Sequence, residues 1–230
     1  PDIGLGDGIA AEYADDCRLF RFSHSFENDI LAAARNMAKR YKCHAGHNQM
    51  LEQYALSIFD AARKFHGMGA RERLLLQIAV TLHGCGKFIS IRNSNESSYN
   101  LIMSTEIIGL SHLEREIIAN VVRYNIRDFD YDTIQLETQI GEDGSGNLNR
   151  SSITILIAKL TAILRLANSM DKTHKSKLAD CRMAIREGEL VITTGYTGDL
   201  ALERASFEQK ADFFEEIFGV RPVLKQKRRV

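Results

Sequence analysis

Proline is almost missing from this chain. Of 230 residues only Pro1 and Pro222 are prolines. A proline inside a helix removes a hydrogen bond and clashes with the preceding turn, at about 3 kcal/mol or more. Everything between these two positions is therefore free to run as helix, and the apolar residues recur at helical intervals. From Phe26 the stripe is Ile30, Leu31, Ala34, Met37, Ala38 and Tyr41. A second helix is predicted from His47 to Phe65, stopped by the glycines of His66-Gly67-Met68-Gly69. A third runs from Arg71 to His83 and ends at Gly84 and Gly86. Ser111-x-x-Glu114 forms a capping box ahead of Ile117, Ile118, Val121 and Val122. Ile153 to Asp171 gives the longest helix.

Two polar stretches, Asn93 to Ser98 and Gly141 to Asn149, read as loops. The second holds three glycines, but no G-K-[ST] follows and two acids sit inside it, so a connector is expected rather than a phosphate cradle. Near Asp180 the period changes. Arg182 to Arg186 and Glu189 to Thr194 read as strands of a hairpin turning at Glu187-Gly188. Ser206-x-x-Gln209 is expected to cap a helix carrying Phe207, Ala211, Phe214 and Phe218, ended by Gly219, before a last strand from Val220 to Leu224. The expected fold is mainly α: a helical bundle over residues 25–179 and a small α+β subdomain over 180–230, after a lead segment 1–24.

Composition narrows the function. Thirty Lys+Arg balance thirty Asp+Glu, so global charge alone does not drive the chain onto nucleic acid or an anionic membrane. Cys17, Cys43, Cys85 and Cys181 contain no C-x-x-C pair, which argues against a zinc ribbon, a thioredoxin-like site or a disulfide framework and fits buried thiols in a reduced compartment. The apolar run from Ile153 to Met170 is interrupted by Lys159 and Arg165, and no signal-peptide pattern opens the chain. A soluble, cytoplasmic protein is expected, with neither membrane nor nucleic acid as partner. The first residue is Pro1 rather than Met, as in a piece of a longer chain.

Three ionisable residues stand where apolar ones belong. His47 lies one turn before Met50 and Leu51, His83 follows Ala79 and Leu82, and Asp171 comes four residues after Ala167. Burying such groups costs several kcal/mol unless they are paired or bound to metal. Three at the ends of separate inward faces point to a shared site.

This spacing resembles that of helical metal-dependent phosphohydrolases of the HD type, in which a His, a His-Asp pair and a distant Asp hold a divalent cation. His47 matches the first His, His83 the His of the pair, and Asp171 the distal Asp. The pair itself reads His83-Gly84-Cys85-Gly86-Lys87, so glycine replaces the central carboxylate.

The wider pattern resembles the C-terminal half of the Ppx/GppA family, the exopolyphosphatases and guanosine pentaphosphate phosphohydrolases. The ordered matches are Gly4 to Ile9, His47 with Leu56 to Asp60, Thr81 to Gly86, Ser98 to Ile102, Glu114 to Ala119 with Arg123 to Asn125, Leu164 to Asp171, and Leu202-Glu203 with Phe214 to Gly219. Two further departures accompany Gly84. Asn95-Glu96-Ser97 replaces a His-rich stretch, and Asn125 stands in an Arg-Tyr-His element.

The resemblance implies that phosphoanhydride hydrolysis belongs to an actin-like N-terminal half absent from these residues, with a divalent metal such as Mg²⁺ serving that parent enzyme. This region would extend the polyphosphate channel and form a homodimer interface. It would bind no cofactor itself and have no catalytic residue of its own, with His47, His83 and Asp171 a degenerate metal site. Candidate cations for polyphosphate are Lys172, Lys175 and Lys177 with the neighbouring His174, the helix edge Arg35, Lys39, Arg40 and Lys42, and the tail Lys225, Lys227, Arg228 and Arg229. Two other readings stay open: a weak metal-dependent phosphohydrolase acting on nucleotides, and a purely structural interaction module.

Overall fold

A computed structural model describes residues 26–134, 136, 137 and 150–227. The Gly4–Ile9 element, Cys17, the Gly141–Asn149 stretch, Arg228 and Arg229 lie outside the described residues. The described part has eight helices and a three-stranded sheet, a mainly α fold with a small α+β C-terminal part.

The helices are α1 (Phe26–Arg40), α2 (Ala45–Ala61), the single turn α3 (Arg63–His66), α4 (Ala70–Leu82), α5 (Ser94–Ser104), α6 (His112–Arg123), α7 (Arg150–Met170) and α8 (Ala201–Phe218). The face predicted for α1 is buried at Ile30, Leu31, Ala34, Met37 and Ala38. Gly67, at φ 66°, closes α3 in the left-handed conformation, and Gly219 at φ 65° does the same for α8. Ser111 Oγ accepts from Glu114 N at 3.2 Å while Glu114 Oε2 accepts from Ser111 N at 2.8 Å, which completes the capping box of α6.

Helix α7 packs against α2, α6 and α8. By length and composition it could cross a membrane, yet most of it is buried inside the fold. Its two interior cations are satisfied at the ends of other helices. Lys159 Nζ donates to His66 O at 2.8 Å, and Arg165 Nε donates to Tyr124 O at 2.8 Å. Carbonyls at helix C-termini have no intrahelical partner and carry partial negative charge, so a cation suits them. Arg165 also lies over the Phe213 ring, 4.6 Å from its centroid, which draws α8 onto α7.

The sheet order is β1 (Arg182–Arg186), β2 (Glu189–Thr194), β3 (Arg221–Gln226), with β1–β2 antiparallel and β2–β3 parallel. The hairpin turns where predicted, with Glu187 and Gly188 both at positive φ, 51° and 79°, as a two-residue hairpin turn requires. One apolar core runs from Ile30 on α1 to Leu224 on β3.

Two sequence expectations fail. Asn93 to Ser98 is not a loop: α5 begins at Ser94. Its polar residues have specific partners, since Ser98 Oγ, fully buried, accepts from Gly86 N at 2.8 Å and Glu96 accepts from Arg123 Nε at 2.9 Å. Helix α8 starts at Ala201, five residues before the predicted Ser206 cap, after a turn in which Asp199 Oδ1 accepts from Ala201 N at 2.8 Å.

Candidate functional site

The turn between α1 and α2 sets the first histidine. Lys42 takes a left-handed φ of 52°, and the Nδ1 of His44, the N-cap of α2, accepts from His47 N at 3.0 Å. This brings His47 into the first turn of α2, 4% exposed, with Nδ1 2.7 Å from Asp171 Oδ2. A carboxylate accepts, so Nδ1 donates, and in the neutral ring Nε2 is then the acceptor.

Asp171 sits just beyond α7, and its Oδ1 accepts from Ser176 N at 2.8 Å. That bond closes a tight turn in which His174 and Ser176 both have left-handed φ, 54° and 51°. The turn lays the His174 ring flat on that of His47, with centroids 3.9 Å apart and planes 10° from parallel. His83 ends α4 and donates from Nδ1 to Val80 O at 2.7 Å. Its ring stands 5.5 Å from that of His47, edge to face. Burial, chiefly, pushes its pKa down to about 4, helped by nearby His47, Lys87 and His174. Burial also lowers that of His174. The sequence-selected trio thus splits: His47 and Asp171 bond each other, while His83 bonds its own helix.

Three concavities adjoin. A cleft of about 260 Å³ is lined by Lys42, His44, His47, His83, Gly84 and Lys87. A chamber of about 120 Å³ shares His47, His83, Lys87 and His174 with it, and adds Asn95, Asn125, Asn168 and Lys172. The widest, about 840 Å³, is a groove along α1 and α2 with Arg35, Lys39 and Glu52 in its wall, and it shares Cys43 and Asn48 with the cleft. Glu52 is the one acid among the described residues lining these three spaces.

The donor set does not suit a divalent cation. Such a centre asks for several converging carboxylates and neutral imidazoles. Here both oxygens of Asp171 are engaged, by His47 and Ser176, Gly84 offers no donor, and two ammonium groups, Lys87 and Lys172, border the space. Among the described residues, the potential donors that converge within 4.8 Å lie elsewhere, at His112, Glu116 and Glu137. That group is self-satisfied. Arg115 can only donate to His112 Nδ1, at 3.1 Å, so His112 Nε2 bears the hydrogen that faces Glu116 and Glu137.

The remaining candidates separate clearly. Lys172 lines the chamber and Lys39 the groove, while Lys175 is exposed on the His174 turn. Arg35 reaches Glu52 across 3.4 Å. Lys177 is committed to structure, donating to Glu203 Oε2 at 3.0 Å and Asp199 O at 2.9 Å. Lys42 borders the cleft, and Lys225 meets Glu189 at 3.5 Å on the sheet. Cys43 and Cys181 have thiol pKa values pushed up to about 11 by burial, and burial raises that of Cys85 too, so none of the three is a ready nucleophile.

His44, Asn125 and Asn168 were not selected as site residues from sequence, and His174 counted only as one cation in a cluster. The H-x-x-H spacing of His44 and His47 was the available signal for the first. A mainly helical domain around a cavity of imidazoles, amides and lysines is the class that fold and site define. Residues 31–211 match the family model described as Ppx/GppA phosphatase, domain III. The chain belongs to the Ppx/GppA phosphatase family, in the part corresponding to its C-terminal half. No curated protein is significantly similar to it.

Proposed function

We propose that this region is the accessory, polyphosphate-binding and dimer-forming part of an exopolyphosphatase-like hydrolase, and that its HD-type pocket works without a metal. The observation that carries the reading is the run of adjoining concavities in which Arg35, Lys39, Lys42, Lys87 and Lys172 face Glu52 as the sole lining acid among the described residues. A linear polyanion needs such a track: cations spaced along a groove, each adding salt-dependent attraction through counterion release. Phosphoanhydride cleavage is assigned to the catalytic half of the parent enzyme. The residues here bind and orient the chain of phosphates.

Dimerisation draws support from Phe88, Ile89 and Ile91, which are 55%, 60% and 87% exposed on one short segment. Exposed apolar clusters of this kind mark contact surfaces, and the occupant proposed is a second copy of the same chain.

Titration of the folded chain with long-chain polyphosphate at rising salt tests the binding role. Saturable binding whose logarithm falls with log salt, at a slope of about 3.5 for five engaged cations on a single-stranded polyanion, supports it. No binding at low ionic strength by a folded sample would overturn it.

A further inference from the structure

The small chamber has a composition of its own. Its bordering ammonium groups, Lys87 and Lys172, have no ion pair with any described residue, and no acid lines it. Asn125 is 3% exposed, and its Oδ1 is buried without a hydrogen-bond partner. A buried amide left unsatisfied costs free energy, and the cost is removed when a ligand occupies the facing space. Asn168, half-buried in the same wall, also lacks a hydrogen bond to any described residue. The unpaired Asn125 Oδ1 is an acceptor, while the Lys87 and Lys172 ammonium groups and the Asn168 amide N–H are donors that give the wall net positive charge.

The imidazoles add further acceptors. His47 donates from Nδ1 to Asp171 and His83 donates from Nδ1 to Val80 O, so each presents Nε2 as an acceptor. At about 120 Å³ the chamber is well below the roughly 300–1,000 Å³ typical of sites for drug-sized ligands, which favours a compact ion over a nucleotide.

We infer that the chamber binds a single orthophosphate ion, with Lys87, Lys172 and Asn168 on its oxygens and its remaining O–H accepted within the group formed by Asn125 Oδ1 and the Nε2 atoms of His47 and His83. That mixture of donors and acceptors distinguishes orthophosphate, which keeps a hydrogen near neutral pH, from sulfate, which does not. The inference rests on the reading above only in taking the pocket as free of metal. It needs no polyphosphate binding. Orthophosphate is also what phosphoanhydride hydrolysis releases, so the chamber accepts the product of the reaction assigned to the parent enzyme.

The test is calorimetric titration of the folded chain with inorganic phosphate and, separately, sulfate, in the presence of EDTA. The expected result is one phosphate per chain, bound at least tenfold tighter than sulfate. Lys87→Met should weaken phosphate at least tenfold, and Lys172→Met likewise, while Lys64→Met, exposed and outside all three concavities, should leave it within twofold. Lys87 and Lys172 are exposed, so these substitutions leave the core packing intact. Absence of saturable phosphate binding, equal affinity for sulfate, or affinity unchanged in Lys87→Met would overturn the inference. If phosphate binds in this way and polyphosphate does not, the polyphosphate reading fails and this one stands. If polyphosphate binds and phosphate does not, the reverse holds.

Discussion

His47 Nδ1 donates to Asp171 Oδ2 across 2.7 Å, joining the start of α2 to the end of α7 over 124 residues of sequence. Both partners are buried, and the other oxygen of Asp171 holds the turn that stacks His174 on His47. Asp171→Ala removes both bonds and leaves His47 N–H and Ser176 N–H unpaired. It should destabilise the fold by about 3 kcal/mol, read as a lower urea midpoint at unchanged m-value. Asp171→Asn keeps an acceptor and should cost about half as much.

Two histidines make stability fall with acid. His83 has its pKa lowered by burial from 6.5 to about 4. His66 is lowered in the same direction, first by burial. Its Nε2 lies 2.9 Å from Phe59 O and its Nδ1 accepts from Met68 N at 2.9 Å, so a second ring proton would face a donor. Because both groups bind a proton more readily unfolded than folded, their contribution is present above the ordinary histidine range and is lost as pH falls, for His83 towards about 4. For His83 this amounts to about 3 kcal/mol. Unfolding in urea between pH 8 and pH 4 should show it. His83→Asn, which keeps a donor to Val80 O, should have a visibly shallower acid slope than the parent chain.

The paired glycines of His83-Gly84-Cys85-Gly86 have opposite tolerances. A Cβ on Gly86 would overlap Ser94 O and Ser98 N, both backbone atoms of α5. A Cβ on Gly84 meets nothing within 4 Å. Gly86→Ala should cost about 3 kcal/mol or more, whereas Gly84→Ala should stay within about 0.5 kcal/mol. Gly84→Asp should fold as well, and thermal unfolding of the three variants checks the order.

Lys177 was a polyphosphate candidate by sequence, and the structure turns it to Glu203, a carboxylate 1% exposed that also accepts from Thr173 Oγ1. This lock ties the turn after α7 to α8. Burial alone would raise the Glu203 pKa, but Thr173 and Lys177 outweigh it and hold the carboxyl below its usual range. Lys177→Met leaves the buried Glu203 carboxylate without its cation and should lower the urea midpoint of unfolding. Polyphosphate affinity of the folded fraction should stay within twofold, unlike that of Lys172→Met.

The sequence carried most of the fold because its signals were local: the stripe of α1, the Ser111–Glu114 box, Gly67 and Gly219 as left-handed caps, and the two-residue turn at Glu187-Gly188. It also marked His47, His83 and Asp171 as polar residues on inward faces. What it missed depends on tertiary partners. Asn93 to Ser98 lacks an apolar stripe, and its helix is held by Ser98 against Gly86 and Glu96 against Arg123. His174 reaches His47 only through two left-handed residues in a turn closed by Asp171. The chamber joins α4, α5, α6 and α7, and no periodicity places Asn125 opposite Lys172.

Metal content decides whether the HD-type pocket works without a metal. The folded chain, purified without chelator and then dialysed against Mn²⁺ or Zn²⁺, should retain far less than one equivalent by elemental analysis, with the same phosphate affinity before and after EDTA. One equivalent of transition metal retained by the parent chain and lost from both His47→Ala and His83→Ala would contradict it.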